Sequence, residues 1–288
     1  MTMQAQPRQK RSFIFNYLKL VRGLNLFMVA LTQYLTAIFL IGDPDGWLQV
    51  LTNKGFFLLV SSTVMITGAG YLINDYYDVK IDLVNKPGRV IVGKNLKRRW
   101  VIVGHTFLNL ASIAIGFYLS ITIGIINFMA AFLLWLYSNR LKRHPFIGNF
   151  VVAVLTGTTL FLVSEYYGEK QYLILCYAIF AGFITLIREI IKDLEDMKGD
   201  ERYGCKTLPI VLGVSKTKNI IYGIAAIFLT TVFLMISHIS MILPITLSVA
   251  LIFLIFGVIK ADTIKAYNRL SNLCKLIMLL GVISMIWI

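Results

Sequence analysis

GFFLLVSSTVMITGAGYLI, residues 55–73, carries no charge, and it runs straight into Asn74-Asp75-Tyr76-Tyr77-Asp78-Val79-Lys80-Ile81-Asp82. Such a run is long enough to cross a bilayer as a helix, which takes about 17 to 25 residues. The polar tail then sets one amide and three carboxylates at the end of that span. On a helix turning about 100° per residue, with Asn74 at zero, Asp75 falls at about 100°, Asp78 at about 40° and Asp82 at about 80°. All four share a face. Like charges at these spacings repel, so the arrangement gains nothing unless a cation sits among them; the alternative is a solvated helix end.

The spacing occurs a second time. Asp193, Asp196 and Asp200 repeat the pattern of Asp75, Asp78 and Asp82 in a chain with fourteen acidic residues in all. With Arg188 at zero, they fall at about 140°, 80° and 120°, beside Glu189 at about 100°, while Glu195 and Glu201 point elsewhere. Two matched clusters favour a metal site over a solvated end. Carboxylate oxygens without histidine or cysteine suit magnesium, which keeps several waters and takes a substrate phosphate as partner. The implied substrate carries a diphosphate.

The rest of the 288 residues is as apolar as this span: 58% hydrophobic and 15% charged, with mean hydropathy +0.76. Those values describe an all-α, polytopic membrane protein. Nine transmembrane helices are expected at 23–41, 55–73, 100–118, 121–138, 147–164, 171–188, 218–237, 240–259 and 271–288. With the N-terminus in the cytoplasm, every Lys and Arg except Lys54 and Lys170 falls on the cytoplasmic side, as the positive-inside rule requires. The chain then reads as one multi-pass domain, 1–288, of the cell (inner) membrane, with both acidic clusters facing the cytoplasm. The net charge of +14 is spread over short loops, where topology and anionic headgroups account for it, so no nucleic-acid partner is expected. Cys176, Cys205 and Cys274 suggest no disulfide framework, and His105, His144 and His238 read as loop or helix-end residues. No small-residue cleavage site follows the basic start, so the first span is expected to be retained.

In chain order, residues 1–22, with Arg8, Lys10, Arg11 and Lys19, form a basic segment suited to the inner headgroups. Arg22 and Asn25 stand where the chain enters the bilayer, placed either to snorkel or to meet an anionic ligand. Ser61, Ser62, Thr63, Thr67, Gly68 and Gly70 of the second span are small enough for close helix packing. The 83–99 connection is long for a helix pair, which favours a functional cap, and Arg89 is its leading phosphate ligand. The Tyr137–Asn149 turn brings Lys142 to the same membrane face. Each acidic cluster is followed by a basic loop that reaches Val90-Ile91-Val92-Gly93 or Ile210-Val211-Leu212-Gly213, which hints at two four-helix halves plus a ninth helix.

With these motifs the chain resembles the UbiA family of intramembrane prenyltransferases, over nearly its whole length. Asn74-Asp75-x-x-Asp78-x-x-x-Asp82 is similar to the family's first aspartate-rich motif and Asp193-x-x-Asp196-x-x-x-Asp200 to its second. The resemblance implies a helical bundle in which these segments hold Mg2+ and a polyprenyl diphosphate, with the isoprenoid tail in a groove open to the lipid bilayer. It implies metal ligands among Asn74, Asp75, Asp78, Asp82, Asp193, Asp196 and Asp200. Asp78, Asp82, Asp196, Asp200, Lys142 and Tyr137 are then the catalytic set. Asn74, Arg22, Asn25, Arg89, Asn149, Arg188 and Lys192 are the substrate-binding set. Family members often carry Arg-Pro where this chain has Arg89-Val90.

The chemistry is consistent with the residues. Ionising an allylic diphosphate builds negative charge on the leaving group, which metal and fixed cations stabilise, and positive charge on carbon, which must be kept from water. Tyr76, Tyr77, Phe57 and Tyr137 are candidates to face that carbon, against a default of core packing. The 137–142 and 192–200 segments look most like those of members that attach a geranylgeranyl group, from geranylgeranyl diphosphate, to the lipid acceptor geranylgeranylglyceryl phosphate. The alternatives are an aromatic acceptor of the 4-hydroxybenzoate or naphthoate type and, in another class, an ion or solute transporter.

Overall fold

The computed structural model describes residues 13–42, 44–88, 90–235 and 242–287, and these form a helical bundle. Helix α1 (Phe13–Leu20) precedes α2 (Gly23–Leu35), which continues as a π-helical stretch, Thr36–Ile41. A short α3 (Trp47–Thr52) is followed by α4 (Lys54–Asn85), α5 (Arg98–Leu119), α6 (Ile121–Asn139), α7 (Ile147–Tyr167) and α8 (Gln171–Arg202). Then come α9 (Leu208–Leu212), α10 (Val214–Leu234), α11 (Ile242–Lys260) and α12 (Ile264–Ile283). Among the described residues eight helices are long and apolar enough to cross a membrane, and α11 adds a shorter apolar helix, Pro244–Lys260. Each of the nine expected segments overlaps one of these.

The two helices that carry the acids overrun the membrane. At 32 residues each, α4 and α8 are about 48 Å long, against about 30 Å of hydrocarbon. Their polar ends therefore project beyond it. No proline interrupts residues 74–85 or 189–202, so the helix persists past each apolar run. Pro87-Gly88 stops α4, and Gly204, at φ +70°, follows the end of α8, a left-handed position that glycine takes without a Cβ penalty.

Three expectations are corrected here. The connection assigned to 83–99 spans only 86–97, because α4 continues to Asn85 and α5 starts at Arg98. The last helix starts at Ile264 rather than 271: the Thr263 hydroxyl caps it, accepting from the Ala266 N–H at 3.2 Å, which makes Asn268 helical. His105 is not at a helix end but about two turns inside α5, its Nδ1 3.0 Å from the Ala69 carbonyl oxygen. His238 and the basic residues Arg8, Lys10 and Arg11 lie outside the described residues. The Val90–Gly93 and Ile210–Gly213 segments both end on a glycine at φ +81°, yet the first is a turn and the second a helix end.

Helix α4 packs on α5, α6 and α2, while α8 packs on α7, α12 and α10. Lipid tails are as apolar as the helices, so polar bonds and small residues, rather than apolar burial, bring helices together. The small residues of α4 do this: Ser112 Oγ donates to the Ser62 carbonyl oxygen at 2.8 Å, and Asn127 Nδ2 donates to Ser62 Oγ at 3.2 Å. Around α8, Ile184, Ile187, Ile190 and Leu194 are buried with Phe228 of α10 and Cys274 of α12. On the other side, Leu20 and Val21 pack on Leu72, Ile91, Val92 and Leu96, which folds the 86–97 loop against α1 and α4. All three cysteines are free and buried.

Candidate active site

The projecting ends of α4 and α8 are tied together. Asn85 donates through Nδ2 to the Asp196 carbonyl oxygen at 2.8 Å and accepts at Oδ1 from the Gly199 N–H at 2.8 Å. A Cβ at 199 would overlap the Asn85 amide, so any larger residue there displaces that side chain. Through the Asn85 tie Asp82 comes within Coulombic range of Asp196, and Asp200 within range of Asp78 and Lys142. Helical periodicity puts each acidic set on one face; the tertiary fold turns the two faces toward each other.

Cations enter this space from several elements. Lys142 Nζ forms an ion pair with Asp78. It stands on the 3-10 turn Leu141–Arg143, pressed so closely on the start of α7 that a Cβ at Gly148 would lie 2.8 Å from the Lys142 Cα. Arg22 donates to Asp75 Oδ1 at 2.9 Å and lies 4.6 Å over the Tyr71 ring, whose hydroxyl accepts from Asn25 Nδ2 at 3.1 Å. The Arg22 backbone is left-handed, at φ 55° and ψ 58°, a conformation that costs a non-glycine residue about 1 to 2 kcal/mol. This strain sits at the junction of α1 and α2, where it is held by contacts to α4.

From α7, Asn149 Nδ2 donates to Asp193 Oδ2 at 2.8 Å. Arg188 and Lys192 both turn to the buried Glu189, at 2.5 and 3.5 Å. Asn74 sits beside Asp75. Tyr137 lies among these charges, near enough to Glu189, Asp193, Asp78 and Arg22 for each to act on it.

Sequence reasoning passed over one cation. Lys86 Nζ lies 2.7 Å from Asp196 Oδ1 and 2.9 Å from Oδ2, with Glu195 Oε1 at 3.6 Å. Burial by itself would lower its pKa; Asp196, then Glu195 and Asp82, outweigh burial and raise it. The signal was present, since Lys86 falls at about 120° on the scale that starts from Asn74, next to the acidic face. Arg89, the residue expected to act from this loop, lies outside the described residues. Glu195 does point away from the acidic face, but toward α12 rather than water: it is buried and accepts from Asn268 Nδ2 at 2.8 Å. Phe57, 59% exposed at the far end of α4, is about 30 Å along the helix from Asp78, too far to face a carbon reacting there. Tyr76 is engaged instead by Arg98, whose guanidinium lies 4.3 Å over its ring.

The donor set fits magnesium. Asp82 and Asp200 take no ion pair among the described residues, so two carboxylates from opposing helices have no cation in direct contact. No three or more His, Cys, Asp or Glu side chains close into a ready-made cage among the described residues. Magnesium needs none, because it binds through one or two carboxylates together with substrate phosphates.

Comparison with known proteins matches residues 30–280 to the UbiA prenyltransferase family. The chain belongs to this family. Among curated relatives, the digeranylgeranylglyceryl phosphate synthase of Methanosphaera stadtmanae is 30% identical over 273 residues, covering 93% of this chain and 97% of the relative. That of Methanococcoides burtonii is 32% identical over 277 residues, covering 94% and 98%. A solved membrane structure of a digeranylgeranylglyceryl phosphate synthase superposes with TM-score 0.72 at 23% identity, covering 95% of this chain and 97% of that one. A UbiA homologue from Archaeoglobus fulgidus, solved with DMAPP and Mg2+, gives TM-score 0.62 at 15% identity over 95% of this chain and 99% of its own. UbiA membership makes the chain a multi-pass membrane prenyltransferase and removes the transporter alternative. The paired motifs of this UbiA protein are thus carried by the two helices that are long enough to leave the bilayer.

Proposed function

We propose that the chain transfers a geranylgeranyl group from geranylgeranyl diphosphate to the glycerol hydroxyl of geranylgeranylglyceryl phosphate, with magnesium bound between the two acidic motifs. The observation that carries the reading is the meeting of the α4 and α8 clusters through Asn85, with Asp82 and Asp200 making no ion pair among the described residues. Magnesium, when bound, neutralises charge on the diphosphate as it leaves. The roles of the chain's own residues follow from their positions. Asp78, Asp82, Asp196 and Asp200 hold the metal, with Asp75, Asp193 and Asn74 at its margin. Lys142 and Arg22 supply positive charge toward the diphosphate oxygens, and Asn25, Asn149, Arg188 and Lys192 line the approach. Tyr137 closes the site against water and presents its ring toward the developing carbocation.

In the reaction the bond from the allylic carbon to the diphosphate oxygen breaks, an ether bond from that carbon to the glycerol oxygen forms, and the hydroxyl proton is released. Each prenyl methylene kept out of water favours binding by about 0.8 kcal/mol, so donor and acceptor tails both remain in the bilayer. The acceptor is supported by the name shared by the relatives, which match over nearly their full length. The distribution of Lys and Arg supports an active site on the cytoplasmic face of the cell membrane. Purified protein incubated with geranylgeranyl diphosphate, Mg2+ and either geranylgeranylglyceryl phosphate or 4-hydroxybenzoate, read by mass spectrometry, tests the reading. The expected product is the phosphorylated diether, lost on chelation. A prenylated aromatic, with no diether, would overturn the choice of acceptor.

A further inference from the structure

We propose that Glu195 is a positioning residue of the metal site: it receives the Lys86 ammonium when Asp196 takes the metal. The inference rests on the magnesium reading above and adds to it a place for the cation that the metal displaces. Lys86 Nζ covers both oxygens of Asp196, at 2.7 and 2.9 Å. A divalent ion on Asp196 needs at least one of those oxygens, and it repels an ammonium in contact with the same carboxylate. Lys86 therefore has to move when Asp196 binds metal.

Its destination is set by what surrounds it. The Lys86 N–H is bonded to the Asp82 carbonyl oxygen at 2.8 Å, so the backbone is anchored and the side chain pivots about it. Of the carboxylates that act on Lys86, Asp82 belongs to the metal set, which leaves Glu195. Glu195 is 6% exposed. It is held by a single hydrogen bond, from Asn268, and its ion pair with Lys86 is long, at 3.6 Å. A buried carboxylate so weakly paired is costly, and closing on an ammonium relieves that cost. Room for the swing exists in a cavity of about 460 Å³ lined by Asn85, Lys86, Glu195, Asp196 and Asn268. The exchange conserves charge: Lys86 with Asp196 becomes Lys86 with Glu195, and the metal takes Asp196.

A double-mutant cycle read by Mn2+ binding tests this, using paramagnetic resonance on the full chain in detergent with a non-reactive thio-diphosphate analogue of the donor, since the metal binds together with substrate phosphates. In the otherwise wild-type chain, Glu195→Gln weakens Mn2+ binding about tenfold, because Lys86 loses its alternative partner, whereas in a Lys86→Met background the same change has almost no effect. Equal weakening in both backgrounds would mean that Glu195 acts only through its charge, and would overturn the proposal, as would unchanged Mn2+ affinity in Glu195→Gln alone. Should Glu195→Gln fail to elute as a folded species, Asn268→Ala replaces it in the cycle; it removes the donor that competes with Lys86 for Glu195 without altering charge, and Mn2+ binding should tighten about threefold, only when Lys86 is present, while unchanged or weakened binding would overturn the proposal. Absence of Mn2+ binding in the wild-type chain with the diphosphate analogue present is a separate result, which removes the metal reading itself and this inference with it.

Discussion

Asn85→Ala isolates the tie between the two aspartate-rich helix ends without touching a carboxylate. The side chain makes two hydrogen bonds to α8, both at 2.8 Å and both partly buried. At about 1 kcal/mol net for each, their loss removes about 2 kcal/mol from the assembled arrangement, equivalent to about 30-fold in an equilibrium constant. The Lys86–Asp196 ion pair still bridges the same ends, so 30-fold is the upper limit. The assay is the rate of lipid product as a function of Mg2+, with donor and acceptor saturating. The half-maximal Mg2+ concentration should rise by about fivefold to 30-fold, while the rate at high Mg2+ stays near that of the wild type. Gly199→Ala attacks the same contact from the other side, because its Cβ overlaps the Asn85 amide. In an Asn85→Ala background that clash is gone, so Gly199→Ala should add little. Two fully additive losses, or an unchanged Mg2+ requirement in Asn85→Ala, would refute the claim that this contact sets the distance between the clusters.

Other outcomes follow from the same geometry. Asp78→Ala or Asp196→Ala should abolish turnover while the protein still elutes as a folded species in detergent; normal activity in either would count against the metal assignment. Arg22→Gly relieves the left-handed backbone, worth about 1 kcal/mol, but removes the cation paired with Asp75. Its thermal stability should be close to wild type while KM for the diphosphate rises, whereas a fall in stability with KM unchanged would make Arg22 structural. Because the folded pKa of Lys86 is raised above 10.5, its stabilising contribution is fully present below that pH and is lost only as pH rises through the higher folded value. The stability difference between wild type and Lys86→Met should therefore stay constant from about pH 8 to about pH 10; a difference that shrinks across that range would contradict the raised pKa.

Much of the architecture was legible because it depends on properties that are linear in the chain. Apolar runs of membrane-spanning length mark the helices, and the repeated three-and-four spacing of the acids puts each set on one helix face. Errors fell where a polar stretch continues a helix. Residues 83–85 follow a charged stretch and 264–270 interleave Lys265, Asn268 and Arg269 with apolar residues, so neither reads as part of an apolar span and the expected bounds fall short of α4 and α12, although nothing in them breaks a helix.

Which partners the acids meet is a separate matter, since it depends on distances between residues far apart in sequence. Lys86 reaching Asp196, Asn85 reaching Gly199 and Asn268 reaching Glu195 join positions 73 to 114 residues apart. None of these pairs has a periodicity of its own to announce it. The amino-acid sequence alone determined that this is a helical membrane protein with two matched acidic faces. Only the tertiary structure decided that those faces oppose each other, and which cations stand between them, because helix orientation follows from packing across the bundle rather than from any local preference.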